Sequence, residues 1–394
     1  MITVQEADLL LAEHACTRGA VSVPLTQAVG RVLREDVAAD RDYPPFDRVA
    51  MDGIAVASAG LEDGARRFRL ASTQAAGEPP HTLPETGACI EIMTGAALAE
   101  GCDTVVRYED LDLSGGWATL RDSVEVEPKQ NVHVRGSDRR AGEPVLEAGT
   151  RLRSPDIAAL ASIGKAEVRV AALPQIAVVT TGDEVVAVDA PVLPHQIRES
   201  NGPAVRAALH RHGYPDVQLD HVPDDEAQLR HHLGAALDEA DVLVLSGGVS
   251  AGKFDLVPKL LDELGVREVF HKIRQKPGKP LWFGTAARGQ AVFGLPGNPV
   301  SALVCLYRYV LPFLAASAGE TPRPPETARL ARLPRRKNDF TLFVPARREG
   351  LDAHPVHSNG SGDFLSLLAS DGFAEVAAEV EQPSPVPFYS WSAA

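Results

Sequence analysis

Apolar and polar positions follow two different patterns along the chain, and the change falls near residue 173. Beyond that point, short and almost wholly apolar runs alternate with longer amphipathic segments. Buried strands that alternate with helices of this length are typical of a doubly wound parallel sheet. The predicted strands are QIAVVTTG, DVQLDHV, DVLVLSGG, PLWFGTA and AVFGLPG, and the predicted helices are residues 202–212, DEAQLRHHLGAALDEA, LVPKLLDELG and a long segment that starts near residue 299.

The first 172 residues have short apolar runs broken by Gly and Pro, which predict an irregular, β-rich N-terminal part. An opening helix is predicted at residues 4–16. A second helix is predicted with Ser154 as N-cap, Pro155 at the first helical position and Gly164 at its end.

The last residues predict a small β domain at 321–394. FTLFVPARRE and FAEVAAEVE are typical of short strands, and SNGSGD is typical of a turn. The final PSPVPFYSWSAA is predicted to be a loose tail.

A chain of 394 residues is too long for one ordinary core, so we expect several domains. The formal net charge of −14 disfavours general binding to nucleic acid or to a membrane surface. Against this acidic background, five lysines fall within 27 residues. They form either a solvated face or a local site for a polyanion. They are Lys253, Lys259, Lys272, Lys276 and Lys279.

The cysteines are scattered without CxxC pairs, which favours small buried apolar residues in a reducing cytoplasm. They are Cys16, Cys89, Cys102 and Cys305. The twelve histidines show no HExxH spacing, so a zinc site is not predicted. The longest apolar run is interrupted by Arg308 and Pro312, and the N-terminus has no basic region. Neither a membrane span nor a secretory signal is expected.

Three Gly-rich loops follow predicted strands, at 180–184 (TTGDE), 246–255 (SGGVSAGKFD) and 295–301 (LPGNPVS). Ligands of open α/β sheets bind beyond the carboxyl ends of the strands. Gly-rich turns and helix N-termini present backbone N–H groups to an anion there. Three such loops at one edge predict an anion site.

The second loop resembles a phosphate-binding P-loop in its spacing of Gly247, Gly252 and Lys253. Phe254 stands where a Ser or Thr hydroxyl would hold magnesium, and the carboxylate of Asp255 follows. Such a carboxylate suits a metal or the paired N–H donors of a pterin or guanine edge. We therefore expect a site for an anion and a heterocycle. A nucleotide-hydrolysing enzyme remains the alternative.

The basic segment HKIRQKPGKP supplies cations to this region. In a single strand, Lys272, Arg274 and Lys276 would project to one face, and the following turn would return Lys279 to it. The segment is either an exposed basic hairpin or a clamp for phosphate or another oxyanion.

Nine segments in order along the chain resemble the MoeA family, the molybdopterin molybdenumtransferases, whose eukaryotic relative is the C-terminal part of gephyrin. The segments are PPFDRVAMDGIAV, IMTGAALAEGCDTVVRYED, RGSD, VVTTGDEV, IRESNGP, VLSGGVSAGKFD, KPGKPLWFG, FGLPGNPVSALV and GSGDFLSLLASDG.

This resemblance implies insertion of molybdate into adenylylated molybdopterin, with release of AMP and with Mg²⁺ assisting. It also implies a cytoplasmic homodimer whose subunits share the active site, contacts with other enzymes of cofactor synthesis, and a small C-terminal domain like a β-barrel. The implied domains are residues 1–172, divided into a dimerisation region (1–22, 40–50, 134–172) and a β-rich lobe (23–39, 51–133), a MogA-like domain at 173–320 and the C-terminal domain at 321–394.

The resemblance also implies the site residues. The catalytic positions are Asp52, Asp138, Glu184, Asp224, Asp255, Lys272 and Lys276. The substrate-binding positions that it implies are Thr94, Pro296, Pro299 and Ser361. The Gly-rich loops and the basic segment add the substrate-binding positions Gly247, Gly248, Ser250, Gly252, Lys279, Gly297 and Asn298. Magnesium would be held by some of Glu184, Asp224 and Asp255, although Asp224 also suits a helix N-cap.

The chain departs from the family pattern at two places. Arg48 and Val49 stand where small residues are usual, and Pro345 stands near an expected arginine, with Arg347 two residues on. A tungstate-specific paralogue or a molybdopterin-binding scaffold without turnover remains an alternative to the transferase.

Overall fold

The computed structural model describes residues 1–248, 256–335, 338–382 and 384–392. The chain forms two compact units. The main unit contains Met1–Glu35, Ala148–Ser154 and Glu167–Ala394. The lobe contains Asp36–Glu147 and Pro155–Ala166.

The α-helices of the described residues fall mostly in the main unit. They are α1 Val4–His14, α2 Ser58–Glu62, α3 Ser154–Ser162, α4 Asn201–Arg211, α5 Glu226–Glu239, α6 Val257–Glu263, α7 Pro299–Cys305 and α8 Leu311–Ser317.

The strands form a sheet in the lobe, a sheet and a barrel in the main unit, and several short ribbons. The first strands are β1 Ala20–Pro24, β2 Val37–Ala38, β3 Arg48–Val49, β4 Gly53–Val56, β5 Arg67–Gln74, β6 Ala88–Ile92, β7 Thr104–Arg107, β8 Leu111–Ser114, β9 Trp117–Leu120, β10 Val132–His133, β11 Pro144–Leu146 and β12 Glu167–Ala171. The next are β13 Ile176–Thr181, β14 Val185–Val186, β15 Ile197–Arg198, β16 Val217–Val222, β17 Val242–Ser246, β18 Arg267–His271, β19 Gln275–Lys276, β20 Trp282–Thr285 and β21 Ala291–Leu295. The last are β22 Glu326–Leu330, β23 Thr341–Glu349, β24 Asp352–Pro355, β25 Gly372–Val376 and β26 Pro385–Ser390.

The central sheet of the main unit has the strand order β16-β13-β17-β21-β20-β18. The first four strands run parallel, as predicted from the alternation of strands and helices. The two remaining strands run antiparallel to their neighbours. A short turn joins β20 to β21, and strands joined without a crossover helix must pair antiparallel.

Both faces of this sheet are covered by helices, as in a doubly wound fold. All six residues of β13 are buried, and successive side chains face opposite cores. Val178 packs in the core that contains Leu209 of α4 and Tyr309. Val179 packs in the other core, with Leu229 of α5 and Leu260 of α6.

The helices α7 and α8 are joined by a π-helical turn, Leu306–Val310, into one core helix. Within the residues that the structure describes, the run Pro299–Ser317 is long and apolar enough to cross a membrane, and 72% of its most apolar stretch is buried inside the protein. Arg308 in the π-turn is bidentate to Asp8 at 2.7 Å and bonds Glu375 at 2.7 Å. The run is therefore the core helix of the main unit.

A closed barrel forms the C-terminal part of the main unit. Its strands follow the order β23-β24-β22-β26-β25, and β25 pairs back with β23. β26 corrects the prediction of a loose C-terminal tail. Its side chains Val386 and Phe388 are buried in the barrel, and the rings of Tyr389 and Phe373 stack with centroids 5.0 Å apart.

Two further sequence predictions are adjusted. The opening helix ends at His14, earlier than predicted, and begins with a capping box between Thr3 and Glu6. Cys16 is exposed, whereas Cys89 and Cys305 are buried, so the prediction of buried cysteines is wrong for Cys16.

The lobe is built on a sheet of order β7-β4-β6-β5-β9-β8, with the short ribbons β3–β10 and β2–β11. Gly53 is the first residue of β4. A Cβ at this position would lie 1.9 Å from the Val106 carbonyl oxygen of the neighbouring strand β7, so the close approach of the two strands requires glycine here. The sheet packs around Ile54, Phe68 and Cys89.

Candidate functional site

The three Gly-rich loops lie side by side, because β13, β17 and β21 are neighbours in the sheet. Gly247 has φ +99°, and a Cβ there would lie 2.3 Å from the Thr181 carbonyl oxygen. A Cβ on Gly297 would lie 3.8 Å from the Gly247 Cα. The described parts of the three loops therefore meet at one edge, and Gly248 lies with them.

Asn201, the first residue of α4, connects two of these loops. Its Nδ2 donates to the Gly297 carbonyl oxygen at 2.8 Å and to Ser246 Oγ at 2.9 Å. The segment IRESNGP contains Asn201, but its sequence pattern indicated no role for this residue. Asn201 therefore bridges the start of the loop after β17 and the loop after β21, whose strands are paired up to Ser246 and Leu295.

The loop after β21 reaches the barrel. Asn298 is the N-cap of α7, but its side chain makes no capping bond. Its Nδ2 instead donates to Ser361 Oγ at 3.0 Å, and the Val300 N–H donates to the Ser361 carbonyl oxygen at 3.2 Å. Pro299 occupies the first helical turn. Asn298 and Ser361, predicted from distant parts of the chain, are therefore in direct contact.

A cavity of about 500 Å³ opens beside this contact. Three of its lining residues are cationic: Lys276, Lys279 and Arg335. Its other lining residues are Gln275, Pro277, Gly278, Pro280, Pro296, Asn298, Val300, Ser301, Pro334, Leu342, Phe343, Val344, Pro345, Ser358, Gly360 and Ser361. The cavity thus combines a cationic rim with amide and hydroxyl donors, which suits an oxyanion.

The basic segment is not a single strand, so the condition under which Lys272, Arg274 and Lys276 would share one face is not met. β18 ends at His271, and Lys272 takes a left-handed backbone conformation with φ +73°. The chain then enters β19, which pairs with β23 of the barrel. Arg274 pairs with Asp339 at 3.3 Å, and Lys276 lines the cavity. Lys272 does not line it.

The carboxylate of Asp224 is held at the end of β16. It accepts a hydrogen bond from Thr181 Oγ1 at 2.5 Å, while the Asp224 N–H donates to Asp183 Oδ1 at 3.1 Å. The N-cap of α5 is Asp225, whose side chain accepts from the Gln228 N–H. The neighbouring residue caps the helix, so the alternative reading of Asp224 as the cap is wrong.

Glu184 and Asp224 follow the adjacent strands β13 and β16. Across the described ranges, no group of three or more His, Cys, Asp or Glu side chains is arranged to hold a metal ion by itself. Magnesium commonly takes one or two protein carboxylates and completes its shell with water and substrate phosphates. Glu184 and Asp224 supply the number and type of protein ligands that such a site uses. Ser250, Gly252 and Asp255 lie outside the described residues.

In the lobe, Asp52 and Thr94 are in direct contact. The Thr94 N–H donates to Asp52 Oδ1 at 2.6 Å. This bond, followed by the bond from the Thr94 side chain, lowers the pKa of Asp52 below its ordinary value. Both residues are exposed. The pair therefore presents a carboxylate that stays ionised at neutral pH.

Asp138 lies in a turn after β10 and accepts a hydrogen bond from His133 Nε2 at 2.8 Å. His133 Nδ1 in turn lies 3.1 Å from Arg48 Nη2. Arg48 is one of the two residues that stand where the family usually has small ones, and the other, Val49, is buried. Neither the sequence spacing nor the resemblance indicated a role for His133.

Arg347 does not reach the cavity. It is exposed on β23, with its Nε 3.8 Å from Glu349 Oε1. Pro345 lines the cavity, and the guanidinium present there belongs to Arg335 on a different loop. Sequence reasoning missed Arg335, because the loop LPRR looks like an ordinary basic linker.

Comparison with known proteins places all parts of the chain in one class. The description "MoeA N-terminal region (domain I and II)" matches residues 2–164, "Probable molybdopterin binding domain" matches residues 177–316, and "MoeA C-terminal region (domain IV)" matches residues 327–385. The chain is thus a multidomain α/β protein in which a β-rich part, a parallel-sheet domain and a closed barrel follow one another.

Individual relatives agree with this class over the full chain. A molybdopterin molybdenumtransferase of Synechocystis sp. is 38% identical, covering 99% of this chain and 100% of that protein. The enzyme of the same name from Haemophilus influenzae is 35% identical, covering 89% and 87%. The crystal structure of the molybdopterin biosynthesis moeA protein from Pyrococcus horikoshii superposes with a TM-score of 0.83 at 28% identity, covering 99% and 100%. The chain belongs to the MoeA family.

Proposed function

We propose that this protein is a molybdopterin molybdenumtransferase that inserts molybdate into adenylylated molybdopterin and releases AMP. The observation that carries the proposal is the cationic cavity beside the Asn298–Ser361 contact, at the carboxyl edge of the parallel sheet. It supplies the charge and the donors that a tetrahedral oxyanion needs, and it adjoins loops suited to a pyrophosphate.

The cations of the cavity address the main physical obstacle to this reaction. Molybdate and a pyrophosphate are both anionic, and two unit charges about 4 Å apart repel by about 4 kcal/mol at the effective dielectric near a protein surface. Lys276, Lys279 and Arg335 offset that repulsion. They also stabilise negative charge that develops as AMP departs.

The carboxylates of Glu184 and Asp224 have a different role in the proposal from that of the cations. Glu184 and Asp224 would hold Mg²⁺ against the phosphates, where the ion would polarise the anhydride as a Lewis acid. The Thr181 hydroxyl keeps one Asp224 oxygen in place. Gly247 lets the loop after β17 pass close to the Thr181 carbonyl oxygen, and this keeps the loops at the site close together.

The lobe supplies further acids in this proposal. The resemblance to the family implies a homodimer in which Asp52, Thr94 and Asp138 of one subunit reach the cavity of the other. The exposed Asp52–Thr94 pair supports this role, because the structure holds an ionised carboxylate toward solvent in a fixed position. A cytoplasmic homodimer that contacts other enzymes of cofactor synthesis belongs to the same proposal.

The test is a reconstitution with adenylylated molybdopterin, molybdate and Mg²⁺, in which AMP release and molybdenum incorporation are scored together. The proposal predicts that both rise in parallel and that both depend on molybdate. Lys276→Ala is expected to raise the molybdate concentration needed, with unchanged thermal stability. Lys259→Ala is the matched control, because Lys259 pairs with surface acids away from the cavity. AMP release without molybdenum incorporation would contradict the proposal.

A further inference from the structure

Arg48, His133 and Asp138 form a line of three polar side chains in the lobe. β3 and β10 are antiparallel, with His133 directly opposite Arg48, so the two side chains leave the ribbon on one face. The Arg48 Nη2 to His133 Nδ1 distance is 3.1 Å, and the His133 Nε2 to Asp138 Oδ1 distance is 2.8 Å. Arg48 and Asp138 thus contact opposite nitrogens of one imidazole.

The chemistry of the two end groups determines where the ring proton lies. A guanidinium has only donors, so His133 Nδ1 must accept and cannot carry the proton. The proton is then on Nε2, from which it is donated to the Asp138 carboxylate. Arg48 therefore selects the one neutral tautomer of His133 that can hold Asp138.

The backbone of Asp138 is fixed independently of its side chain. Its N–H donates to the Tyr43 carbonyl oxygen at 2.9 Å, and Arg139 Nη1 donates to the Asp138 carbonyl oxygen at 3.0 Å. Within the described residues, His133 gives the hydrogen bond that the structure shows to the Asp138 carboxylate. With 55% of that side chain exposed, its rotamer depends on this bond.

We infer that His133 is a positioning residue that orients the Asp138 carboxylate, with Arg48 setting the imidazole tautomer. The inference rests on the proposed function, because the catalytic role of Asp138 belongs to that proposal. Removing His133 leaves the backbone of Asp138 in place and frees its carboxylate. A misplaced catalytic group slows the reacting step more than it weakens substrate binding.

The first test reads the tautomer without any activity. ¹⁵N NMR of the imidazoles is expected to show His133 with the proton on Nε2. Arg48→Met in an Asp138→Ala background is expected to add the other tautomer, because neither end group then selects one. His232 serves as the internal comparison, because its Nδ1 lies 2.9 Å from the Gln228 carbonyl oxygen and must carry the proton. A mixture of tautomers for His133 in the unaltered protein would overturn the inference.

The second test is a rescue. His133→Ala is expected to lower kcat about tenfold with little change in KM. His133→Gln should restore most of the loss, because its carbonyl oxygen can accept from Arg48 and its amide can donate to Asp138. In an Asp138→Ala background, His133→Ala should cause no further loss of kcat, because the carboxylate that His133 orients is absent.

Three results overturn the inference: no loss in His133→Ala, no rescue by His133→Gln, or an undiminished tenfold loss when Asp138 is already absent. If the unaltered protein transfers no molybdate at all, the proposed function fails instead. The NMR measurement then still decides whether Arg48 and Asp138 fix the His133 tautomer.

Discussion

The Asn298 side-chain amide donates to the Ser361 hydroxyl at 3.0 Å, which joins the loop after the central sheet to the C-terminal barrel. The two residues are 63 positions apart in sequence. Both line the cavity that Lys276 and Lys279 also line. The cavity therefore depends on two structural elements that come together only in the folded main unit.

Replacing Ser361 with Ala tests the hydroxyl. The exposed Asn298 bond stabilises the fold by about 1 kcal/mol or less, so the melting temperature should barely change. A lost hydrogen bond to an anion is worth more, and we expect KM for molybdate to rise about tenfold. Ser366→Ala is the control, because the Ser366 hydroxyl donates to the Asp363 carbonyl oxygen at 2.7 Å and does not line the cavity. Equal effects of the two variants on KM would contradict a role for Ser361.

Gly247 is expected to tolerate no side chain. Gly247→Ala places a Cβ 2.3 Å from the Thr181 carbonyl oxygen in a backbone with φ +99°. The backbone conformation alone costs about 1–3 kcal/mol of unfolding free energy. Gly234→Ala is the matched control inside α5, where the nearest atom would lie 3.7 Å from the new Cβ. There the substitution should raise the free energy of unfolding by about 0.5–1 kcal/mol. Urea unfolding measures both changes. Comparable stability of the two variants would contradict the close approach between Gly247 and the Thr181 carbonyl oxygen.

Arg308 is expected to be the ion-pair residue on which stability depends most. Burial lowers its pKa, but the hydrogen bond to Asp8 and the charge of Glu375 outweigh burial and raise it well above its ordinary value. Glu375 is 10% exposed, so Arg308→Met leaves a buried carboxylate without its cation, at a cost of about 3–5 kcal/mol, even though the Tyr389 hydroxyl still donates to it at 2.9 Å. Arg230→Met, whose partners are exposed, should cost less than about 1 kcal/mol. Denaturant unfolding of both variants measures the difference, and a loss at Arg308 as small as that at Arg230 would show that Glu375 finds water or another partner.

Asp52 should titrate below its ordinary value of 3.8, because the Thr94 N–H and side chain stabilise the carboxylate. A depressed pKa in the folded protein contributes stability above the ordinary value, and that contribution is lost as the pH falls through the folded value. Thr94→Ala removes the hydroxyl but keeps the N–H, so the pKa of Asp52 should rise only part of the way toward its ordinary value. The pKa of Asp52 is measured in both proteins by following carboxyl ¹³C chemical shifts below pH 5. An unchanged midpoint in Thr94→Ala would show that the hydroxyl has no part.

The sequence predicted β13, β17 and β21 of the central sheet because all their residues are buried and their runs are almost wholly apolar, whereas the edge strand β18, with its polar and partly exposed residues, was not predicted. It also predicted that the loops containing Gly247 and Gly297 share an edge, since both follow strands of that sheet. β26 was missed because Pro and Ser surround it, although Val386 and Phe388 alternate as buried strand residues do. The local composition does not predict a strand here, because β26 is stabilised by its pairing within the barrel.

The parts of the site that sequence did not predict depend on contacts between distant segments. Arg48 and His133 are 85 positions apart and meet through a two-residue ribbon too short to leave a pattern. Arg335 reaches the cavity from a loop with no periodicity. The turn at Lys272 is set by pairing of the next residues with the barrel. None of these positions has a local signal, because the partner determines the geometry in each case.

The most direct test of the account is X-ray diffraction at the molybdenum absorption edge from crystals of the full chain soaked in molybdate. Lys276, Lys279, Arg335 and the Asn298–Ser361 pair define where the oxyanion should bind. We predict one strong anomalous peak inside this cavity, which Lys276→Ala should weaken. A strong peak elsewhere, with the cavity empty at saturating molybdate, would contradict the account.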